Sequence, residues 1–209
     1  MGGVDKGLQP WRGQPLIQWV MNALWHQVQA MAISANRNLP IHESLLRGAC
    51  PTRASDATFA GLAALTCRPQ HLGVFPDDPN LPPQSGPLAG ILTGLRQVQT
   101  DWLQLAACDT PRLPKDLVER LMDAARSADA DIAVPCTKEI ALDGRPQSRP
   151  HWTCALMHKR VTPDLAAAFV KGERKVGQWI RSQRWVEVSF APASDFENMN
   201  TLETLDDRD

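Results

Sequence analysis

The stretch MGGVDKGLQPWRGQPLIQWV, residues 1–20, sets two glycines, an aspartate and a lysine just ahead of an apolar helical pattern. Glycine lets a backbone turn tightly and approach a ligand, and a lysine beside it adds positive charge, so the segment reads as the second half of a phosphate-binding loop. From Pro15, suited to a first helical turn, the residues Leu16, Trp19, Val20, Ala23, Leu24 and Val28 form the stripe of an amphipathic helix reaching Gln29.

Working outward, short apolar runs read as strands: AMAIS (30–34), HLGVF (71–75), WLQLAA (102–107), ADIAVP (130–135), HWTCALM (151–157) and WVEVSF (185–190). Between them lie helical patterns: GPLAGILTGLRQV (86–98), Pro114–Ala128, VTPDLAAAFVKG closed by Gly172, and KVGQWIRSQ (175–183). Strands alternating with helices at this spacing predict an α/β fold, a mostly parallel sheet flanked by helices. Residues 38–70 are longer than a connection needs, and SDATFAGLAAL within them predicts an extra helix capped by Ser55 or Asp56. The polar segment 137–150, with Gly144, Pro146 and Pro150, reads as a surface loop. ENMNTLETLDD reads as a loop and then a short helix with Thr201 near its cap.

Composition excludes several classes. A chain of 209 residues fits one domain and can bury a core without disulfides or metal. The net charge of −1 provides no basic field for nucleic acid or an anionic membrane. No apolar run approaches a bilayer span, and the first residues lack both the basic-then-apolar build of a signal peptide and the myristoylation pattern, so the expected location is the cytoplasm. The five cysteines, Cys50, Cys67, Cys108, Cys136 and Cys154, are odd in number and form no CxxC, which fits small buried residues better than disulfides or zinc. No HxxxH and no GxSxG occur.

In open α/β sheets, ligands bind where strands end. Ala35-Asn36-Arg37 follows the first predicted strand, Pro76-Asp77-Asp78 the second, and Cys108-Asp109-Thr110-Pro111 the third. A lysine on a Gly-rich segment, facing carboxylates able to hold a divalent ion, suits a nucleoside triphosphate. Each part alone has a plainer reading: Asp109 as a turn former, Gly2-Gly3 as a flexible terminus, Lys6 as a solvated side chain, Asn198 and Asn200 as loop residues. The residues alone give an α/β nucleotide-type binder.

The combination is more specific. The opening resembles the molybdenum cofactor guanylyltransferases, which carry a pattern like LAGGxxxRMGGxDKxLxxxxGxPL. The match runs from Met1-Gly2-Gly3-Val4-Asp5-Lys6-Gly7 to Gly13-Gln14-Pro15-Leu16. It continues in order through Ala35-Asn36-Arg37, Val74-Phe75-Pro76-Asp77, Gly86-Pro87-Leu88-Ala89-Gly90, Cys108-Asp109-Thr110-Pro111 and Asn198-Met199-Asn200-Thr201.

The resemblance implies a Rossmann-like nucleotidyltransferase fold with a small C-terminal substrate lobe. It divides the single domain into a nucleotide part over 1–136, interrupted by the insertion at 38–70, and a cofactor part over 137–209. It implies transfer of GMP from GTP to molybdenum-molybdopterin with release of diphosphate, using Mg²⁺. By the same resemblance Lys6 contacts the nucleotide phosphates, and Asp109 binds both nucleotide and Mg²⁺. Asp77 is a nucleotide contact, and Ser34 stands where the family often has an asparagine contacting the nucleotide. Gly86, Pro87 and Leu88 lie in a loop near the reaction centre, and Asn198 and Asn200 face the pterin cofactor. Molybdopterin-carrying or molybdoenzyme-maturation proteins are the implied partners, with no nucleic acid and no membrane.

In this family a first strand and the LAGG half of the loop precede the point where Met1 stands, so the expectation is a start upstream of Met1, with the 209-residue form binding GTP weakly. The competing readings are a cytidylyltransferase or sugar-phosphate nucleotidyltransferase of the same fold, and a non-catalytic cofactor-binding remnant. The chemistry of the residues suits nucleotidyl transfer, and the resemblance puts the guanylyltransferase first. Two anionic substrates repel, no protein nucleophile is present, and positioning with charge neutralisation is what remains for the protein to do.

Overall fold

The computed structural model describes residues 5–48, 70–81, 86–140 and 144–199. A 3-10 turn, Lys6–Leu8, leads into a tight hairpin of β1 (Pro10–Trp11) and β2 (Gln14–Pro15). Its two loop residues, Arg12 and Gly13, both take positive φ (47° and 79°), the type I′ geometry that matches strand twist in two-residue hairpins. α1 (Leu16–Leu24) follows directly and stops short of Gln29. There the Gln27 side chain takes over, donating to the carbonyls of Ala23 and Pro114 and accepting from the Val118 N–H. One side chain thus closes α1 and pins it to the start of the helix that covers the same face, α4 (Leu117–Ser127).

Between these two helices come β3 (Ala30–Ser34), α2 (Leu39–Gly48), β4 (Gln70–Phe75), α3 (Pro87–Gln97) and β5 (Trp102–Gln104). After α4 the chain continues through β6 (Ile132–Ile140), β7 (Pro146–Pro150), β8 (Leu156–His158), α5 (Thr162–Val170), α6 (Val176–Ile180) and β9 (Trp185–Ser189). β3 and β4 pair in parallel. A second sheet runs β5-β8-β6, with β7 extending the β8 edge of β6 and β9 on its opposite edge.

Alternate residues of the strands serve opposite layers, as a period of two requires. On β6, Ile132 and Val134 join one apolar cluster and Ala133 the other; on β8, Met157 and Leu156 divide the same way. The layer holding Ala133 and Leu156 is covered by α1 and α4 through Ile17, Val20, Leu24, Leu117 and Leu121. The other is covered by α3, α5 and α6 through Leu88, Leu92, Leu165, Phe169 and Trp179. Helices on both faces of a sheet make this the expected α/β fold. Among the described residues no helix is long and apolar enough to cross a membrane.

The pairing is mixed rather than mostly parallel. β8 continues from β7 in the same direction along one edge of β6, with only a 3-10 turn at Trp152–Cys154 between them, so like β7 it runs antiparallel to β6, and it is antiparallel to β5 as well. The segment 137–150 is not a loop: β6 extends to Ile140 and pairs with β7 over Cys136↔Pro150 to Ile140↔Pro146. This ribbon is solvated around its outer half, so no apolar alternation marks it, and its prolines sit at the two ends of β7, where they are tolerated. Within 38–70, α2 is a helix that apolar periodicity does not reveal, with only His42 and Leu46 buried. The expected helix over 55–65, Cys50, Cys67 and the turn at Thr201 lie outside the described residues.

Candidate active site

The parallel register of β3 and β4 aligns Ser34 with Phe75, so both strands end together and their following loops meet. Asn36 and Asp77 then bond reciprocally: Asn36 Nδ2 donates to Asp77 Oδ2 at 2.8 Å, and the Asp77 N–H donates to Asn36 Oδ1 at 2.8 Å. Helix α3 approaches this corner through Gly90, where a Cβ would stand 3.0 Å from Ser34 Oγ and 3.6 Å from Asp77 Oδ1. α3 itself begins at Gly86, held at φ 73°, with Pro87 in its first turn. The Leu88 side chain is fully buried in the core, so that residue offers a ligand only its backbone.

The Lys6–Leu8 turn rests on the loop after β5. A Cβ at Gly7 would lie 3.3 Å from Cys108 Cβ and 3.5 Å from Ile17 Cβ, a fit only glycine makes comfortably. That contact brings Lys6 Nζ to 3.5 Å from Asp109 Oδ2, with the lysine 42% exposed and the carboxylate 13%. Asp5 secures the other side of the turn. Its Oδ2 accepts from Asn38 Nδ2 at 3.1 Å and lies 3.0 Å from His42 Nε2. Burial pushes the Asp5 carboxyl upward, but the hydrogen bonds from Asn38 and His42 outweigh it and hold it below the usual carboxylate range. Cys108 and Cys154 are free thiols pushed up to about 11, chiefly by burial, so neither is a thiolate nucleophile at neutral pH.

On the far side of Asp109, its carbonyl accepts from the Met199 N–H at 2.8 Å, and Thr110 Oγ1 donates to Asn198 Oδ1 at 3.1 Å. Thr110 and Asn198 wall a cleft of about 170 Å³, completed by Arg149 at the end of β7, the turn at 151–154 and Phe196. The His151 ring stacks on Phe196 with centroids 4.6 Å apart and has Thr137 Oγ1 3.0 Å from its Nε2. Burial first, then the Arg149 charge, lowers the His151 imidazole to about 4, so it is neutral under ordinary conditions. A larger depression of about 600 Å³ at the α5–α6 turn shares none of these residues.

The fold thus pairs Lys6 with Asp109, seats Ser34 and Asp77 at one corner, and ties Asn198 to the residue after Asp109. Asn200 lies outside the described residues. The fold also brings in residues to which the sequence assigns no role: Asn36 and Thr110, which fall within matched motifs, and Asn38, His42, Arg149 and His151. The last two belong to a hairpin and turn that read, from sequence, as loop and strand. Among the described residues no cluster of three or more His, Cys, Asp or Glu could enclose a metal by protein ligands alone. A single carboxylate, 13% exposed and beside a lysine, is a donor set Mg²⁺ accepts, since it commonly takes one or two carboxylates and completes its shell with substrate phosphates and water.

Residues 1–188 match the model of the MobA-like NTP transferase domain. The chain is 40% identical over 205 residues to a molybdenum cofactor guanylyltransferase of Cupriavidus metallidurans, covering 98% of this chain and 86% of the relative. The corresponding protein of Cupriavidus pinatubonensis is also 40% identical, with 98% and 87% covered. Among solved structures, the molybdopterin-guanine dinucleotide biosynthesis protein A of Archaeoglobus fulgidus superposes with a TM-score of 0.64 at 18% identity, over 97% of this chain and 88% of that one. The 2-C-methyl-D-erythritol 4-phosphate cytidylyltransferase of Thermus thermophilus gives 0.61 at 15%, over 96% and 90%. At those identities the likeness is one of fold.

Proposed function

The chain belongs to the MobA-like NTP transferase family, and from that premise we propose that it transfers GMP from GTP to the phosphate of molybdenum-molybdopterin, forming the guanine dinucleotide cofactor and diphosphate. The observation that carries the reading is the 3.5 Å approach of Lys6 to Asp109, one residue before the Thr110–Asn198 bond. A cation for the nucleotide and a wall for the acceptor meet there within two consecutive residues.

The acceptor's own phosphate is the nucleophile, so the protein needs none. Lys6 neutralises the triphosphate, Ser34 and Asp77 hold the nucleotide side, and the Gly86-Pro87-Leu88 backbone binds substrate near the reaction centre. Asn198 and Asn200, with the cleft at Thr110, receive the acceptor. Asp109 would hold Mg²⁺, which when bound neutralises phosphate charge and draws the two anions together. Residues 1–136 bind the nucleotide and 137–209 the acceptor, with molybdopterin-carrying or molybdoenzyme-maturation proteins as cytoplasmic partners.

Incubation with α-labelled GTP, Mg²⁺ and molybdopterin, followed by separation of products, tests the reading. Label in a molybdopterin dinucleotide together with diphosphate is the expected result. Incorporation from CTP in preference to GTP overturns the guanylyl assignment, and acceptor binding without turnover overturns the enzyme.

A further inference from the structure

Trp11 stands apart from the two main core clusters. It is 4% exposed and packs in a small separate group with Leu16 and Met199, with Trp19 edge-on at 5.3 Å between ring centroids. Met199 is the residue whose N–H donates to the Asp109 carbonyl, and its neighbour Asn198 accepts from Thr110. Arg112 adds a second tie, lying 5.4 Å from the Trp11 ring centroid while its Nη1 is 3.7 Å from Glu197 Oε2. The I′ hairpin that carries Trp11 is thereby clasped to the two residues that flank Asn198, Met199 directly and Glu197 through Arg112.

We propose that Trp11 is a positioning residue for the acceptor, acting through Met199 to hold Asn198 against Thr110. This rests on the reading that Asn198 meets the acceptor. The nucleotide side meets this contact only at the Asp109 main-chain carbonyl. The Asp109 carboxylate faces Lys6, and the Lys6 turn has its own anchors, Gly7 on Cys108 and Asp5 on Asn38 and His42. Trp11 therefore bears on the acceptor more than on the nucleotide, although it lies only five positions from Lys6.

The test is a double-mutant cycle on the full chain, with molybdopterin as varied acceptor at saturating Mg-GTP. Trp11→Ala and Met199→Ala should each raise the acceptor KM by about tenfold, the cost of a small misplacement of a binding group, while the Kd for Mg-GTP stays within about twofold. In an Asn198→Ala background Trp11→Ala should add no further loss, since coupled residues are non-additive. Trp11→Phe should restore function, because it keeps an aromatic plug and removes an indole N–H that has no acceptor among the described residues. Losses that multiply in the Trp11/Asn198 pair overturn the route through Asn198. Equal weakening of GTP and acceptor binding, tracking melting temperature, shows a folding role and also overturns it. A normal acceptor KM for Asn198→Ala overturns the acceptor assignment itself and with it the route, and is told apart from the first failure by that single variant.

Discussion

Lys6 Nζ lies 3.5 Å from Asp109 Oδ2, although the two residues are 103 positions apart in the chain. With the lysine 42% exposed, the pair is a weak contributor to stability, since exposed ion pairs are worth at most about 1 kcal/mol. Its value is in geometry: a cation and the carboxylate proposed to hold the metal share one spot facing the solvent side. Asp109→Asn should retain the bond from Met199 N–H to the 109 carbonyl and unfold at nearly the wild-type temperature. It should lose GMP transfer by about 10²–10³-fold, the scale for removing one electrostatic stabiliser. Wild-type turnover by this variant at ordinary Mg²⁺ would refute the metal assignment.

Gly90 separates folding from binding. Alanine is the better helix former by about 1 kcal/mol, and the backbone of α3 can take it. The new Cβ would stand 3.0 Å from Ser34 Oγ, however, and 3.6 Å from Asp77 Oδ1. Gly90→Ala should therefore leave the melting temperature near wild type while weakening Mg-GTP binding. Ser34→Ala in the same chain, which removes the clashing atom, should recover part of the affinity. A calorimetric titration of the two variants decides it.

Asp5 makes a pH prediction with a definite sign. Its folded carboxyl sits below the ordinary range, so its stabilising contribution is fully present at neutral pH and is lost as pH falls through the folded value. Asp5→Asn should melt lower than wild type at pH 7, and the gap should close only below about pH 3.9. A constant gap down to acid pH would mean that the charge on Asp5 is not what holds Asn38 and His42.

His151 runs the other way. Its folded value is lowered to about 4, so between the ordinary imidazole value and pH 4 the unfolded chain takes up a proton that the folded chain does not. Stability should fall across that window as pH drops and level off below it. His151→Phe keeps a ring against Phe196 and should flatten this part of the melting-temperature profile. An unchanged slope would assign the acid sensitivity to other groups.

The strand ends are legible in the sequence because an apolar run followed by a polar turn marks where a buried strand meets solvent. That pattern alone points to Asp77 and Asp109, and the family resemblance supplies roles for Lys6 and Asn198. The supporting contacts are not legible. His42 sits on a helix whose buried face has only two residues, one of them polar, leaving periodicity too little to register. Gly90 looks like any helix glycine until Ser34 stands beside it. β7 is exposed along most of its length, so nothing in its side chains reports that its backbone is paired. The direction of β8 follows from its continuing the course of β7 along one edge of β6, a matter of pairing rather than residue type.

The pairing of β6 with β9 has a consequence for how the chain is made. Ile132, Ala133 and Val134 are fully buried, and Cys136 faces Ser189, 53 positions later. β7 and β8 can close on one edge of β6 soon after they emerge from the ribosome. The opposite edge must wait for β9, roughly 3–10 s at about 5–20 residues per second. Through that interval a nascent chain presents an apolar strand with an open row of backbone donors and acceptors, the template on which chains pair with one another. Yield of soluble protein should therefore respond to translation speed and to holdase chaperones that shield this edge until β9 arrives.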